Sequence, residues 1–174
     1  GHLYGWKGVV TLLEASQSLP ADCVVYFVGG TEQDVAEFKI KNEKLKIKNN
    51  VKIVGFRPHD EIPLWLRAAD VLVLPNTAKE EISAHYTSPM KLFEHMASGR
   101  PIIASELPSV REVFNQTLGT FFTPDDPVAL SVAIRRGLEH PEEAEIKAAM
   151  ARREAVKYTW ETRARRITAF LASS

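Results

Sequence analysis

The sequence predicts an α/β protein in which helices cover both faces of a parallel β-sheet, a three-layer α/β/α arrangement. Short apolar runs alternate with longer stretches of helical periodicity, which is typical of strands joined by crossover helices. The runs are continuously apolar rather than alternating, as expected of parallel strands buried on both faces. The main runs are also followed by glycine, proline or serine, residues that favour turns.

Four apolar runs predict strands, and a fifth run is weaker. They lie at 23–28, 51–54, 71–74 and 101–104, with the weaker run at 119–122. The helix predicted from Lys7 has no strand before it, so we expect the first strand of the sheet at or before Gly1. Right-handed crossovers between successive strands then give a doubly wound, Rossmann-like sheet.

Helical periodicity and helix-start signals predict the connecting helices. They cover 7–18, 32–47, 60–68, 89–98, 108–115, 126–139, 142–157 and 160–173. The clearest start is at Ser88, an N-cap residue followed by Pro89 at the first helical position, and this helix ends at Gly99. Nothing in the sequence indicates an internal linker, so we predict a single domain over residues 1–174.

Composition excludes several classes of protein. The 174 residues include 22 basic and 22 acidic side chains, so the formal net charge is zero and bulk attraction to nucleic acid or anionic lipid is not expected. An anionic ligand would need a local site. The single cysteine, Cys23, excludes an intrachain disulfide and a four-cysteine zinc site, and it fits a reducing, cytoplasmic compartment.

The loop 76–87 and the helix after it form the most informative stretch. In a doubly wound sheet, ligands bind beyond the carboxyl ends of the strands, where this loop begins. Lys91 lies in the first turn of the helix, where the helix dipole disfavours a cation, so a nearby anion would explain its presence. An exposed lysine on a plain amphipathic helix explains it equally well.

Three further side chains are candidates for binding the same ligand. Glu94 shares a helix face with Lys91. The two form either a surface ion pair or a site in which Glu94 accepts hydrogen bonds from a vicinal diol, such as a ribose. Lys7 at the opening of the first helix and His2 near Gly1 are candidate anion contacts, and the alternatives are a solvated lysine and a frayed chain end.

Several other catalytic and metal-binding patterns are absent or weak. The sequence lacks Gly-x-Ser-x-Gly, Gly-x-Gly-x-x-Gly and the Walker A pattern, which disfavours a serine hydrolase, a common dinucleotide-binding fold and a P-loop NTPase. His59, Asp60 and Glu61 are adjacent at a helix start and therefore point in different directions, which predicts capping. His85 and His95 have no cysteine or histidine partner at ligand spacing.

An ordered set of motifs gives the sequence a family resemblance. The motifs are GHL at 1–3, WKG at 6–8, FVGG at 27–30, VGF at 54–56, ADVLVLP at 69–75, SPMKLFEHMASGRPIIAS at 88–105, LP at 107–108 and REV at 111–113. With these, the chain resembles the C-terminal half of a glycosyltransferase group 1 protein of the GT4 family, which has the GT-B fold. The resemblance covers essentially all 174 residues.

The resemblance implies a function and a domain organisation. It implies a donor-binding domain over 1–174 of a retaining hexosyltransferase, which moves a sugar from a nucleotide diphosphate sugar to an acceptor without a cofactor or required metal. The acceptor, a carbohydrate or lipid-linked molecule, would bind an N-terminal domain that is absent here, so this fragment alone is expected to be inactive. Synthesis of cell-envelope polysaccharide or exopolysaccharide is the implied process. The implied location is the cytoplasm, or the inner face of the plasma membrane reached through the absent half.

The resemblance also implies the roles of individual residues. The implied catalytic residues are His2, where relatives often have arginine, and Lys7, both beside the diphosphate. Glu94 matches a glutamate that binds the nucleotide ribose. The implied nucleotide-sugar-binding residues are Gly29, Gly55, Phe56, Arg57, Tyr86, Thr87, Ser88, Pro89, Met90, Lys91 and Glu94.

One position departs from the family pattern. The family has a first glutamate eight positions before the second, and this sequence has Tyr86 there. That glutamate helps to hold the donor sugar, so the backbone of residues 86–88 is the candidate to replace it. Loss of the first glutamate leaves open a nucleotide-binding module without transfer activity. A separate alternative is a flavodoxin-like interaction domain, in which Lys7 and Glu94 are surface residues and no nucleotide is bound.

Overall fold

The computed structural model describes residues 3–47, 50–86 and 90–172. The described strands are β1 (Val25–Val28), β2 (Val51–Gly55), β3 (Leu72–Leu74), β4 (Ile102–Ser105) and β5 (Thr120–Phe122). Each lies within one or two residues of a predicted apolar run. The strand expected at or before Gly1 and the predictions for His2, Thr87, Ser88 and Pro89 lie outside the described residues.

Helices follow the strands along the chain. They are α1 (Val9–Ala15), α2 (Glu32–Lys44), α3 (Ile62–Ala68), α4 (Met90–Ser98), α5 (Pro108–Arg111), α6 (Pro127–Glu139), α7 (Pro141–Ala155) and α8 (Trp160–Ala172). Local caps set several of their starts. Thr31 and Asp34 form a reciprocal capping box at α2, and the Asp126 carboxylate accepts hydrogen bonds from two amides in the first turn of α6. Among the described residues, no helix has the length and apolar character needed to cross a bilayer.

Every described strand pair is parallel, which confirms the predicted class of sheet. The pairs are β1 with β2, β3 with β4 and β4 with β5. Within the described residues these strands hydrogen-bond as a two-stranded and a three-stranded sheet, and the strand predicted at or before Gly1 lies outside those residues. Apolar runs report that a strand is buried, but they do not specify which strand it pairs with.

Strand β4 places apolar side chains in both halves of the core and thereby defines the three layers. All four of its residues are buried. Ile103 packs in a cluster with α1, α2 and α6, whereas Ile102 and Ala104 pack in a second cluster with α4, α5 and α7. Successive side chains of a strand point to opposite faces, so helices cover both faces of this sheet.

The predicted first helix is broken, which changes the position of Lys7. The segment Gly5–Lys7 is a short 3-10 helix, and α1 begins only at Val9. Gly8 between them is left-handed, with φ 64°, so the α-helix cannot extend back to Lys7. The prediction that Lys7 opens the helix is therefore wrong: Lys7 ends the turn before it.

Two other predicted segments also differ from the structure. The loop 76–87 contains a single π-helical turn, Ile82–Tyr86, which the sequence analysis did not predict. The helix predicted at 108–115 ends at Arg111. Both segments are short enough that packing outweighs local helical preference.

Gly8 packs against the Pro75 carbonyl at the end of β3, so a methyl side chain at position 8 should destabilise the fold strongly. A Cβ atom at Gly8 would lie 1.6 Å from the Pro75 carbonyl oxygen, in a left-handed backbone conformation. We expect Gly8→Ala to lower the free energy of unfolding by about 3 kcal/mol or more, measured by urea denaturation.

Gly5→Ala is the matched control, because a Cβ there meets nothing within 4 Å. We expect it to change stability by less than about 0.5 kcal/mol. Equal effects of the two substitutions would contradict the close approach at Gly8.

Candidate functional site

Lys7 lies at the carboxyl end of the three-stranded sheet. Its turn is held by hydrogen bonds from the Lys7 amide to the Tyr4 carbonyl and from the Gly8 amide to the Gly5 carbonyl, each 3.0 Å long. Because Gly8 packs directly on the Pro75 carbonyl, this turn sits immediately after β3. The Lys7 ammonium lies over the Tyr4 and Trp6 rings, 5.1 and 5.2 Å from their centroids.

Two lysines from separate elements interact electrostatically here. Partial burial is the main cause that lowers the pKa of Lys7, the charge of Lys91 lowers it further, and Asp34 opposes both. Lys91 is half-buried in the first turn of α4, as the sequence predicted. The two positive charges repel each other, and a bound anion would offset that repulsion, so the pair is a candidate anion-binding site.

Backbone at the ends of β1 and β2 forms the adjacent wall. The Gly29 amide donates a 2.7 Å hydrogen bond to the Gly55 carbonyl, and both glycines have positive φ, 118° and 78°. Phe56 and Arg57 follow directly and are exposed, Phe56 by 74%. These four residues therefore lie at the carboxyl ends of the strands, the edge that the sequence analysis selected.

The remaining predicted residues of the described part lie on α4 and the turn before it. Glu94 is exposed one helical turn beyond Lys91, and Met90 and Tyr86 are also exposed. Within residues 3–47, 50–86 and 90–172, no hydrogen bond or ion pair joins Arg57, Tyr86 or Glu94 to the two lysines. Their polar atoms face solvent and are accessible to a ligand.

The structure also contains anchors for the loop 76–86 that the sequence analysis missed. The Trp6 carbonyl accepts hydrogen bonds from the Thr77 amide at 3.1 Å and from the Ser83 hydroxyl at 3.4 Å. The Ser109 hydroxyl donates to the Ser83 carbonyl at 2.9 Å. Both ends of the loop are thus joined to the turn that carries Lys7 or to α5. A hydrogen bond to a backbone carbonyl cannot be predicted from residue types. A serine in a polar loop is only a weak indication of a buried hydrogen bond.

A cavity lies beside the base of this loop. Its volume is about 230 Å³, and Gly8, Thr11, Thr77, Lys79 and Asp125 are among its lining residues. Lys91 and Glu94 are not among its lining residues, so this cavity is separate from the surface that carries them. In the described part of the chain, no group of three or more His, Cys, Asp or Glu side chains is arranged to hold a metal ion.

His95 lies in α4, next to Glu94 in the sequence, and its side chain is buried. Burial, with a smaller contribution from Lys91, lowers the pKa of His95 to about 3. Its Nδ1 atom finds no hydrogen-bond partner among the described residues. His95 is therefore a neutral core residue at physiological pH.

The chain that carries this site is similar in sequence to known proteins. Residues 1–140 match the family described as glycosyl transferases group 1. The chain is 27% identical over 153 residues to the amylovoran biosynthesis glycosyltransferase AmsK of Erwinia amylovora, covering 87% of this chain and 37% of AmsK. It is 30% identical over 170 residues to glycogen synthase of Mycobacterium tuberculosis, covering 93% and 38%.

A solved structure gives the same result for the fold. HepE of Anabaena in complex with UDP superimposes with a TM-score of 0.84 at 25% identity, covering 100% of this chain and 47% of HepE. The complex of HepE with UDP-glucose gives a TM-score of 0.83. The chain spans less than half the length of these relatives.

The buried imidazole predicts an acid-sensitive fold. An unfolded histidine binds a proton near pH 6.5, whereas folded His95 does so only near 3, so the free energy of unfolding falls as the pH drops through this window. We expect the wild type to lose about 2 kcal/mol more than His95→Leu between pH 7 and pH 5.

Urea denaturation at pH 7, 6 and 5 measures this difference. The carboxylates titrate in both proteins, so only the gap between the two curves reports on His95. Parallel curves would contradict a buried, neutral imidazole.

Proposed function

The chain belongs to the glycosyl transferases group 1 family, and on that premise we propose that it is the donor-binding domain of a retaining glycosyltransferase. In this proposal residues 1–174 bind a nucleoside diphosphate sugar, and a further domain of the complete protein binds the acceptor. The isolated chain then binds nucleotide but does not transfer sugar. The transfer cleft needs both domains.

The observation that carries the proposal is the position of Lys7 at the carboxyl edge of the sheet, within electrostatic reach of Lys91. Breaking the bond between a sugar and a diphosphate places negative charge on the leaving phosphate. Cations held in position before the reaction stabilise that charge more than mobile ones, because they need no reorganisation. Lys7 is restrained by its turn and by two aromatic rings, and Lys91 by the helix. His2 is proposed as a third contact to the diphosphate.

The rest of the donor fits around these cations. The backbone at Gly29 and Gly55, with Phe56 and Arg57, is proposed to border the base. Glu94 is proposed to accept hydrogen bonds from the two ribose hydroxyls, since its carboxylate is exposed one turn from Lys91. HepE, a protein of similar structure, binds UDP and UDP-glucose, so we propose a uridine nucleotide as the first donor to test.

The donor sugar is proposed to lie against Tyr86 and the start of α4. Tyr86 occupies the position where the family has its first glutamate. Without that carboxylate, amide groups of 86–88 are proposed to bind the sugar hydroxyls, and Met90 to pack against the ring. Thr87, Ser88 and Pro89 complete this proposed subsite.

The name of one relative supports a proposal for the acceptor and the location. AmsK acts in the biosynthesis of amylovoran, as its name states, so a carbohydrate or lipid-linked acceptor in cell-envelope or exopolysaccharide synthesis is proposed. The proposed site of action is the cytoplasm, which agrees with the use of a nucleotide sugar as donor. Any contact with a membrane would come through the other domain.

A second candidate function is nucleotide binding without sugar transfer. The substitution of the first glutamate by Tyr86 favours it. Sugar transfer by the complete protein from a nucleotide sugar would exclude this alternative. Binding of nucleotide without any transfer would support it.

The two lysines predict the charge dependence of nucleotide binding. Calorimetric titration of the chain with UDP, GDP and ADP should detect binding of at least one diphosphate. We expect Lys7→Gln and Lys91→Gln each to weaken it about tenfold or more, because a charge-assisted contact to phosphate is lost. Added salt should weaken wild-type binding more than binding by either variant.

Lys44→Gln is the matched control. Lys44 is exposed in the last turn of α2, about 15 Å along the helix from Asp34, whose charge acts on Lys7. This variant should bind as the wild type does. Equal loss in all three variants would indicate a nonspecific charge effect and contradict the site.

Glu94 predicts recognition of the ribose rather than of the phosphates. The wild type should bind UDP about tenfold more tightly than 2′-deoxy-UDP, because the carboxylate loses one hydroxyl donor. Glu94→Ala should bind the two nucleotides equally. If the variant keeps the wild-type preference for UDP, the ribose role of Glu94 is wrong, whatever the lysine variants do.

A further inference from the structure

Asp125 adopts a backbone conformation that non-glycine residues rarely occupy. It lies in the connection between β5 and α6 and has φ 59°. Aspartate tolerates this left-handed region better than most residues, but it still costs energy relative to glycine. Such a conformation persists where surrounding contacts hold it, so the contacts of Asp125 identify what it stabilises.

Both carboxylate oxygens of Asp125 bind the base of the loop 76–86. The Thr77 hydroxyl donates to Oδ1 at 2.5 Å, and the Ala78 amide donates to Oδ2 at 2.9 Å. Thr77 lies 48 residues earlier in the chain and is only 5% exposed. A single carboxylate therefore joins the β5–α6 connection to the segment that follows β3.

The same segment is held from its other side by the turn that carries Lys7. The Thr77 amide donates to the Trp6 carbonyl, and the Lys79 amide donates to the Thr77 hydroxyl. Three successive amides, those of Thr77, Ala78 and Lys79, thus each have an acceptor. Residue 77 is clamped between Asp125 and the residue next to Lys7.

The neighbouring aspartate has a different role. The Asp126 Oδ1 atom accepts hydrogen bonds from the Val128 and Ala129 amides, both at 2.9 Å, and caps α6. The two adjacent carboxylates therefore have different roles: Asp126 stabilises its own helix, and Asp125 binds a loop that is distant in the sequence. Capping of α6 alone does not need Asp125.

We propose that Asp125 is a positioning residue for the donor site: its carboxylate holds the base of the loop 76–86 against the Lys7 turn before the ligand arrives. This inference rests on the proposed donor-binding function. The Thr77 amide binds the Trp6 carbonyl, so the base of the loop is fixed against the element that carries Lys7. Preorganisation of this kind raises affinity because the ordering cost is met in folding rather than in binding.

Asp125→Gly tests the proposal with little backbone strain. Glycine keeps the left-handed conformation without cost and removes both acceptors. In the 174-residue chain, we expect this variant to bind UDP about tenfold more weakly than the wild type by calorimetry. The Ala78 amide loses its acceptor, so its hydrogen exchange, measured by NMR, should accelerate about tenfold or more.

Asp125→Asn provides a graded rescue. Its side-chain oxygen accepts from the Thr77 hydroxyl, but its NH₂ group opposes the Ala78 amide, donor against donor. We expect UDP affinity and exchange rates between those of the wild type and Asp125→Gly. A role limited to backbone conformation would not produce this order, because asparagine and glycine both favour the left-handed region.

Asp126→Ala is the matched control, one residue away and of the same chemistry. Loss of the helix cap should lower the melting temperature of the chain. We expect UDP affinity and Ala78 exchange to stay at wild-type values.

The outcomes separate the two proposals. Weaker UDP binding and faster Ala78 exchange in Asp125→Gly, with wild-type values in Asp126→Ala, support the positioning role. Wild-type affinity in Asp125→Gly, or equal losses in Asp125→Gly and Asp126→Ala, overturns it. If the wild type binds no diphosphate, the donor-binding function fails, and the exchange measurement still decides whether Asp125 anchors the loop.

Discussion

The candidate site depends on the close approach of the Gly8 backbone to the Pro75 carbonyl at the end of β3. A side chain at position 8 would collide with that oxygen, so only glycine allows the Lys7 turn to rest on the carboxyl edge of the sheet. The left-handed Gly8 also ends the turn and directs α1 away from it. From this contact the Trp6 carbonyl reaches the loop 76–86, and Lys7 comes within electrostatic reach of Lys91.

The layers of the core explain why the candidate binding residues lie at one edge of the sheet. Strand β4 is buried on both faces, so neither face of the three-stranded sheet is open to a ligand. The carboxyl ends of the parallel strands remain, and there the chain turns into polar segments. Lys7, Lys91 and the backbone near Gly29 and Gly55 all lie at these ends. The arrangement follows the general rule for open α/β sheets, in which ligands bind beyond the carboxyl ends of strands.

Preorganisation is the common property of the contacts around the donor loop. The Trp6 carbonyl, the Ser109 hydroxyl and the Asp125 carboxylate each bind this segment from a different element. These hydrogen bonds hold a long polar loop in one conformation. The local preferences of its residues would not by themselves select that conformation. His95, which is buried on α4 and neutral, adds no charge of its own to the Lys7–Lys91 site.

The amino-acid sequence by itself determined the class of fold, the order of the strands along the chain and the candidate binding residues Lys7, Lys91 and Glu94. These follow from apolar runs, helix signals and ordered motifs, which are local properties. Only the tertiary structure decided how the strands pair, that Lys7 precedes α1 rather than opening it, and that Trp6 and Asp125 hold the loop. Hydrogen bonds between residues 48 or more positions apart depend on how the layers pack, and no local pattern encodes that packing.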